Sequence, residues 1–168
     1  MLGQKPKMSR RIIPLLVFLI MGVAGAVEAQ EKVTIGLVED VMLMPWKIRL
    51  PARIDTGAAV SSLDARNLKV IDNEVEFGLP SKYGRQKFRL PIVGWHTVRS
   101  AEAKERRPIV EIELCIGPKL MRAKVNLNDR SRMKYPFLLG RNILMENFVV
   151  DCDRTYCAPP KCLEETNK

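Results

Sequence analysis

The chain of 168 residues holds one histidine, His96, and no His-Glu-x-x-His segment, so a catalytic zinc site of the usual kind lacks its ligands. It has no Gly-x-x-x-x-Gly-Lys-Ser/Thr loop, the common cradle for ATP phosphates. Neither a metal, ATP nor any other cofactor is therefore expected. Aromatic residues make up only 6% of the chain, too few to suggest a surface that stacks bases, and nucleic acid is not an expected partner. Amphipathic helical periodicity is nearly absent, which excludes a helical bundle. The longest apolar run, Ile12 to Ala24, is shorter than the roughly 20 residues that span a bilayer, so no stable membrane span is expected.

That apolar run has a different reading. Lys5, Lys7, Arg10 and Arg11 precede it, and Ala26-Val27-Glu28-Ala29 follows with small residues, the three zones of a secretory signal peptide. Residues 1–29 are read as the signal, cut after Ala29, with no cysteine there to take a lipid. A domain over 30–158 and a tail over 159–168 would follow. The expected location is the periplasm or the exterior. Removing the signal takes away four basic residues and one acid, which lowers the net charge from +9 to +6 over 139 residues. Such a balance suits ordinary solubility, an acidic substrate or an anionic envelope surface.

All four cysteines, Cys115, Cys152, Cys157 and Cys162, lie in the exported part, where disulfides persist. A pair among the last three would tie down the tail, and Cys115 with a third cysteine is an equal possibility. A zinc site built on three thiolates is the sharper alternative, though the four-residue intervals are not the usual paired spacing.

The exported part reads as strands separated by turn residues. In the clearest case Val110, Ile112, Leu114 and Ile116 alternate with polar residues, Gly117-Pro118 turns the chain, and Met121, Ala123, Val125 and Leu127 alternate again. That pattern predicts a hairpin with one apolar face. Further strands are predicted over 33–38, 46–54, 60–63, 75–77 and 87–93, and one short helix over 141–146. The polar run 97–107 has no apolar periodicity and is expected to be a loop or a mobile arm. The tail is expected to be fastened only by its cysteines.

Chemistry concentrates at Ile54-Asp55-Thr56-Gly57-Ala58, between two predicted strands. Gly57 permits a close backbone approach, and the Thr56 hydroxyl is suited to locking the loop. An acid held this rigidly suits hydrolysis by paired carboxylates, in which one ionised and one protonated group share a water. A second segment, Phe137-Leu138-Leu139-Gly140-Arg141-Asn142-Ile143-Leu144, places an apolar run, a glycine and an arginine ahead of the short helix.

These two segments in this order resemble the retroviral proteases, or retropepsins. The resemblance is closer to the bacterial retropepsin-like aspartic endopeptidases, often labelled ATP-dependent zinc proteases. It rests on Ala52 to Ala58 with Ser61-Ser62-Leu63, on Arg106-Arg107-Pro108-Ile109-Val110, on Asp129 to Met133 with Tyr135-Pro136, and on Leu139-Gly140-Arg141. It covers roughly residues 33–151. One departure is Asp64, where the family often has a histidine. The resemblance implies an all-β, acid-protease-like closed barrel with one short helix, and an aspartic peptidase acting on peptides or proteins through Asp55. Thr56, Gly57 and Ala58 would shape the loop, with Gly140 and Arg141 as its support. It also implies a flap near residues 94–107. Only one Asp-Thr-Gly is present, so the second carboxylate must come from a homodimer or, in a monomer, from Asp129, although a carboxylate beside arginine is more often one half of a structural ion pair. A non-catalytic module of the same fold, binding a peptide or envelope partner, is the alternative. His96 with Trp95 reads as a pair without chemistry.

Overall fold

The computed structural model describes residues 31–99 and 104–162, so the expected signal peptide lies outside the described residues. Twelve strands are present among them: β1 (Val33–Ile35), β2 (Val38–Met44), β3 (Ile48–Ile54), β4 (Ser61–Asp64), β5 (Arg66–Ile71), β6 (Glu74–Gly78), β7 (Lys87–Pro91), β8 (Gly94–Arg99), β9 (Lys104–Ile116), β10 (Lys119–Asn128), β11 (Phe137–Leu139) and β12 (Phe148–Val150). One helix, α1 (Arg141–Leu144), stands between the last two.

The predicted apolar hairpin is β9–β10. Ile112 faces Ala123 and Val110 faces Val125, and Gly117 turns the chain with φ of 57°, in the left-handed region that a two-residue hairpin turn favours. Strands β10, β4, β11, β3, β2 and β9 follow one another, and β9 returns to β10, so six strands close a barrel. Its core holds Val41, Leu50, Leu114, Val125, Leu127, Phe137 and Leu139, all essentially out of solvent. Closure leaves no open edge in this ring. The expected all-β closed barrel with one short helix is the observed fold. Strands β5, β6 and β7 form a separate antiparallel sheet.

Four expectations need correction. The run 97–107 is not a loop where it is described: β8 pairs with the first half of β9 from Gly94 opposite Ile109 to Arg99 opposite Lys104. A two-stranded ribbon standing in solvent is held by its backbone ladder and cross-strand pairs such as Arg106 over Trp95, at 4.7 Å, and needs no apolar alternation. Strand β5 was not foreseen for a similar reason, since its residues are mostly exposed. The single strand expected over 33–38 is broken at Gly36, where the backbone of Arg154 packs so close that a Cβ would strike it. The helix ends at Leu144 rather than at residue 146, and Glu146 turns out of it at φ of 70°.

The C-terminal segment from Arg154 to Cys162, which takes in the start of the expected tail, is held by more than its cysteines. Leu37 donates to the Arg154 carbonyl at 2.8 Å, Tyr156 to Val38 at 2.7 Å and Lys161 to Gly117 at 2.8 Å. Beneath it lies Glu39, wholly buried, whose carboxylate accepts backbone N–H groups from Gly36, Cys157 and Ala158 at 2.6, 3.1 and 3.0 Å. The Cys157 thiol donates to the same carboxylate at 3.2 Å, and burial and this contact raise its pKa. The disulfide joins Cys115 to Cys162, one of the open pairings, while Cys152 and Cys157 are free thiols. One of the three thiols that the zinc alternative would require, that of Cys162, is thus oxidised. Because the bridge closes 47 residues of sequence separation, Cys162→Ser is expected to cost about 2–4 kcal/mol in a denaturant titration. An unchanged midpoint would mean that Glu39 and the backbone bonds hold the tail unaided.

Candidate active site

Strand β3 delivers Asp55 to the end of the barrel beside β11, its parallel neighbour, with Ile54 opposite Leu139. The ladder continues one step further, because the Asp55 N–H donates to the Leu139 carbonyl at 2.9 Å. The main chain of Asp55 is therefore fixed by the strand that precedes Gly140. Its side chain is fixed as well. Oδ1 accepts N–H groups from Gly57 at 2.9 Å and Ala58 at 3.1 Å, a turn in which the carboxylate closes on its own loop. Oδ2 takes no hydrogen bond from the described residues, so it is the oxygen left to meet water or a second carboxyl group.

The loop is clamped from outside by the segment after β11. Arg141 Nη1 donates to the carbonyls of Thr56 at 2.9 Å and Gly57 at 2.7 Å, and the Arg141 and Asn142 N–H groups donate to Ala58 and Ala59. A single guanidinium thus neutralises two carbonyl dipoles that the turn leaves pointing outward. Gly140 is required where these segments cross: a Cβ there would lie 2.9 Å from the Ala58 carbonyl oxygen and 2.9 Å from the Val60 carbonyl carbon. Gly140 and Arg141 thus both lie against the Asp55 loop. Among the described residues the Thr56 hydroxyl makes no hydrogen bond, and the clamp runs through the Thr56 carbonyl instead.

Two polar residues complete the clamp, and sequence reasoning gave neither a role. Ser61, buried at the start of β4, accepts the Gly140 N–H at 2.9 Å and donates its hydroxyl to Asn142 Oδ1 at 2.8 Å. Asn142 Oδ1 also accepts the Ser61 N–H at 2.8 Å, while its Nδ2 donates to the Lys124 carbonyl at 2.7 Å. Next to them Ser62 donates to Asn126, and Asn126 donates to the Ser61 carbonyl. The buried Ser61, Ser62 and Asn126 side chains each have a hydrogen-bond partner, as burial demands. Their one sequence signal is the Ser61-Ser62 pair beside Leu63.

Asp64, at the family's frequent histidine position, is buried and forms a 2.7 Å ion pair with Arg66 while accepting the Arg130 N–H at 2.8 Å. It thereby anchors the loop between β10 and β11. Arg130 is half-buried there, its pKa lowered by burial, with Arg107 lowering it further and Asp64 and Asp55 acting against both. Asp129 stands outside this buried set. It is exposed, caps the Ser131 N–H at 2.8 Å and lies 3.3 Å from Arg66. Those Ser131 hydrogen bonds, followed by Arg66 and Arg132, hold its carboxyl below the usual range. His96 lies on β8 opposite Arg107, with Nδ1 buried and unpartnered among the described residues. A cavity of about 300 Å3 adjoins the end of β3, walled by Leu37, Arg53, Ile54, Lys134 and Tyr135.

Comparison with known proteins gives three findings. The family profile described as RimB-like, retropepsin-like aspartic endopeptidase RimB, matches residues 34–161. A crystal structure of a protein of unknown function from Legionella pneumophila is 34% identical, with a TM-score of 0.65, covering 76% of this chain and 99% of that one. Proteins named probable alpha-L-glutamate ligase are similar over a shorter stretch. Those of Shewanella pealeana and Shewanella halifaxensis are each 26% identical, over 67% and 64% of this chain. The chain spans about a quarter of the length of each, 26%.

Proposed function

Because the chain belongs to the RimB-like family of retropepsin-like aspartic endopeptidases, we propose that it hydrolyses peptide bonds with a water held between two Asp55 carboxylates in a homodimer. The observation that carries this reading is the Asp55 loop. One oxygen of the carboxylate is tied to the loop's own N–H groups, the other is open, and Arg141 and the β11 ladder prevent the loop from shifting.

Chemistry requires a second carboxyl group. Like charges at contact distance cannot both ionise, so a pair shares one proton. The ionised member draws a proton from the water as it attacks the scissile carbon, and the protonated member donates to the carbonyl oxygen. Asp129 suits the protonated role poorly, because its hydrogen bonds and Arg66 favour its charged form. An Asp55 from a second copy suits it better. The loop tip, Thr56 and Gly57, is exposed, which leaves it open to a copy of itself across a two-fold axis. The β8–β9 ribbon, with His96 and Arg107 side by side, is placed by this reading as the flap over the substrate.

Export belongs to the same proposal. It is supported by the basic and apolar opening of the sequence and by the Cys115–Cys162 bridge, a bond that persists in oxidising compartments. Ligase activity is no part of it, since the match to the relatives so named covers a quarter of their length.

Subunit mixing tests the shared dyad. Specific activity on a peptide should rise with protein concentration, and a tenfold excess of Asp55→Asn chains should draw most wild-type subunits into dead heterodimers, lowering activity by roughly that factor. Activity indifferent to both dilution and mixing would point to a dyad within one chain. Peptide binding without cleavage at any pH would favour the non-catalytic module.

A further inference from the structure

The two free thiols, Cys152 and Cys157, are both exposed and lie on the same C-terminal segment. One peptide unit, Ile35–Gly36, anchors the segment on either side of them. The Ile35 carbonyl accepts the Asp151 N–H at 2.8 Å, just before Cys152. The Gly36 N–H goes to Glu39 Oε1, the oxygen that also accepts the Cys157 N–H and thiol. Residues 152–156 therefore wrap over Gly36, against the Arg154 backbone that leaves no room for a side chain there. Tyr156 closes the wrap at φ of 52°, a conformation that a bulky residue keeps only where its neighbours hold it. The turn is held rather than relaxed.

The two sulfurs differ in reactivity. Thiolate is the nucleophile in disulfide exchange, and burial together with the Glu39 carboxylate raises the Cys157 pKa, which keeps that sulfur a thiol. Cys152 stands outside the group of donors that Glu39 gathers.

We propose that Cys152 and Cys157 form a redox latch, in which oxidation joins them in a second disulfide and the Cys157 sulfur leaves Glu39 to make it. The Cys152 thiolate attacks one sulfur of a disulfide carried by a small thiol or another protein, and the other sulfur leaves and takes up a proton. Cys157 then gives its proton to solvent and attacks the Cys152 sulfur of the mixed bond, and the second oxidant sulfur leaves and is protonated in turn. Two protein thiols are oxidised, and one disulfide is reduced to two thiols.

Arg154 lies inside the ring that this bond closes. Its carbonyl holds the Leu37 N–H at 2.8 Å, and the Leu37 carbonyl holds the Ile54 N–H at 3.0 Å, one residue before Asp55. The thiol form keeps this line of bonds, and the bridged form loosens it. Redox poise thereby acts on the strand that carries Asp55; that this controls cleavage rests on the peptidase reading, whereas the bridge itself does not.

Equilibrating the full chain in buffers from mostly reduced to mostly oxidised glutathione tests the latch. Peptide mapping should find Cys152 joined reversibly to Cys157 as the oxidised share rises, while Cys115–Cys162, with Cys115 wholly buried, stays closed. Amide signals of Leu37, Glu39 and Ile54 should shift with the bridge, and Asp55-dependent peptide cleavage should fall about fivefold or more. Cys152→Ser, a change at an exposed side chain, should abolish the bridge, the shifts and the loss of cleavage together. Glutathione adducts without a Cys152–Cys157 bond, earlier opening of Cys115–Cys162, or a bridge that leaves Leu37 and Ile54 unmoved or cleavage unchanged would overturn the proposal. Cleavage by neither form would remove the peptidase reading, and the bridge and amide shifts would still decide the latch.

Discussion

Asp55→Asn is expected to lower peptide cleavage by a factor on the order of 10³ or more while leaving the fold intact. Asparagine has the shape of aspartate, and its Oδ1 can still accept the N–H groups of Gly57 and Ala58, so the loop keeps its turn. What disappears is the capacity to hold a charge or hand over a proton at Oδ2. The measurement is cleavage of a peptide library across about pH 3 to 7 by both proteins, with thermal unfolding as the control. A shared-proton pair works only between its two apparent pKa values, so the wild-type profile should be bell-shaped and the mutant flat near zero. Equal cleavage by both proteins would exclude Asp55 from the chemistry, whatever the loop geometry suggests.

Glu39→Ala should have the largest effect on stability, a loss of about 3–5 kcal/mol. Three N–H groups, those of the buried Gly36 and Ala158 and of the part-buried Cys157, would lose their acceptor together. For a domain whose net stability is about 5–15 kcal/mol, that is a large share. Urea titration of both proteins gives the difference. A loss under about 1 kcal/mol would mean that the tail repacks without the carboxylate. Activity should fall too, by a traceable route. The tail carbonyl of Arg154 holds the Leu37 N–H, the Leu37 carbonyl holds the Ile54 N–H, and Ile54 precedes Asp55.

The parts of this molecule legible in its sequence share one property: their order comes from neighbours in the chain or from apolar alternation. The β9–β10 hairpin needs only its two apolar faces and Gly117. The Asp55 loop and the Gly140-Arg141 segment are each local, and a family pattern joined them. The obscure parts depend on polar residues whose partners lie far along the chain. Glu39 looks like one more solvated acid in Val-Glu-Asp-Val, and only the tail folding over it, 118 residues on, makes it a buried acceptor. Ser61 and Asn142 meet across 81 residues in the same way. The β8–β9 ribbon escaped notice because backbone pairing in solvent leaves no hydrophobic mark.

The parallel pairing of β3 with β11 also sets a condition on synthesis. Residues 52–54 have near neighbours in β2 on one side, but their parallel partners on the other come only at 137–139, and the Asp55 clamp is completed by Arg141 and Asn142. Contacts so distant in sequence form late, since a long loop must close before they return any free energy. A ribosome or translocon that has delivered the first three-quarters of the chain holds an Asp55 with neither its ladder nor its guanidinium. Until the last strands arrive, that aspartate lacks the contacts that fix its loop, and on the peptidase reading proposed above the growing chain is not yet armed.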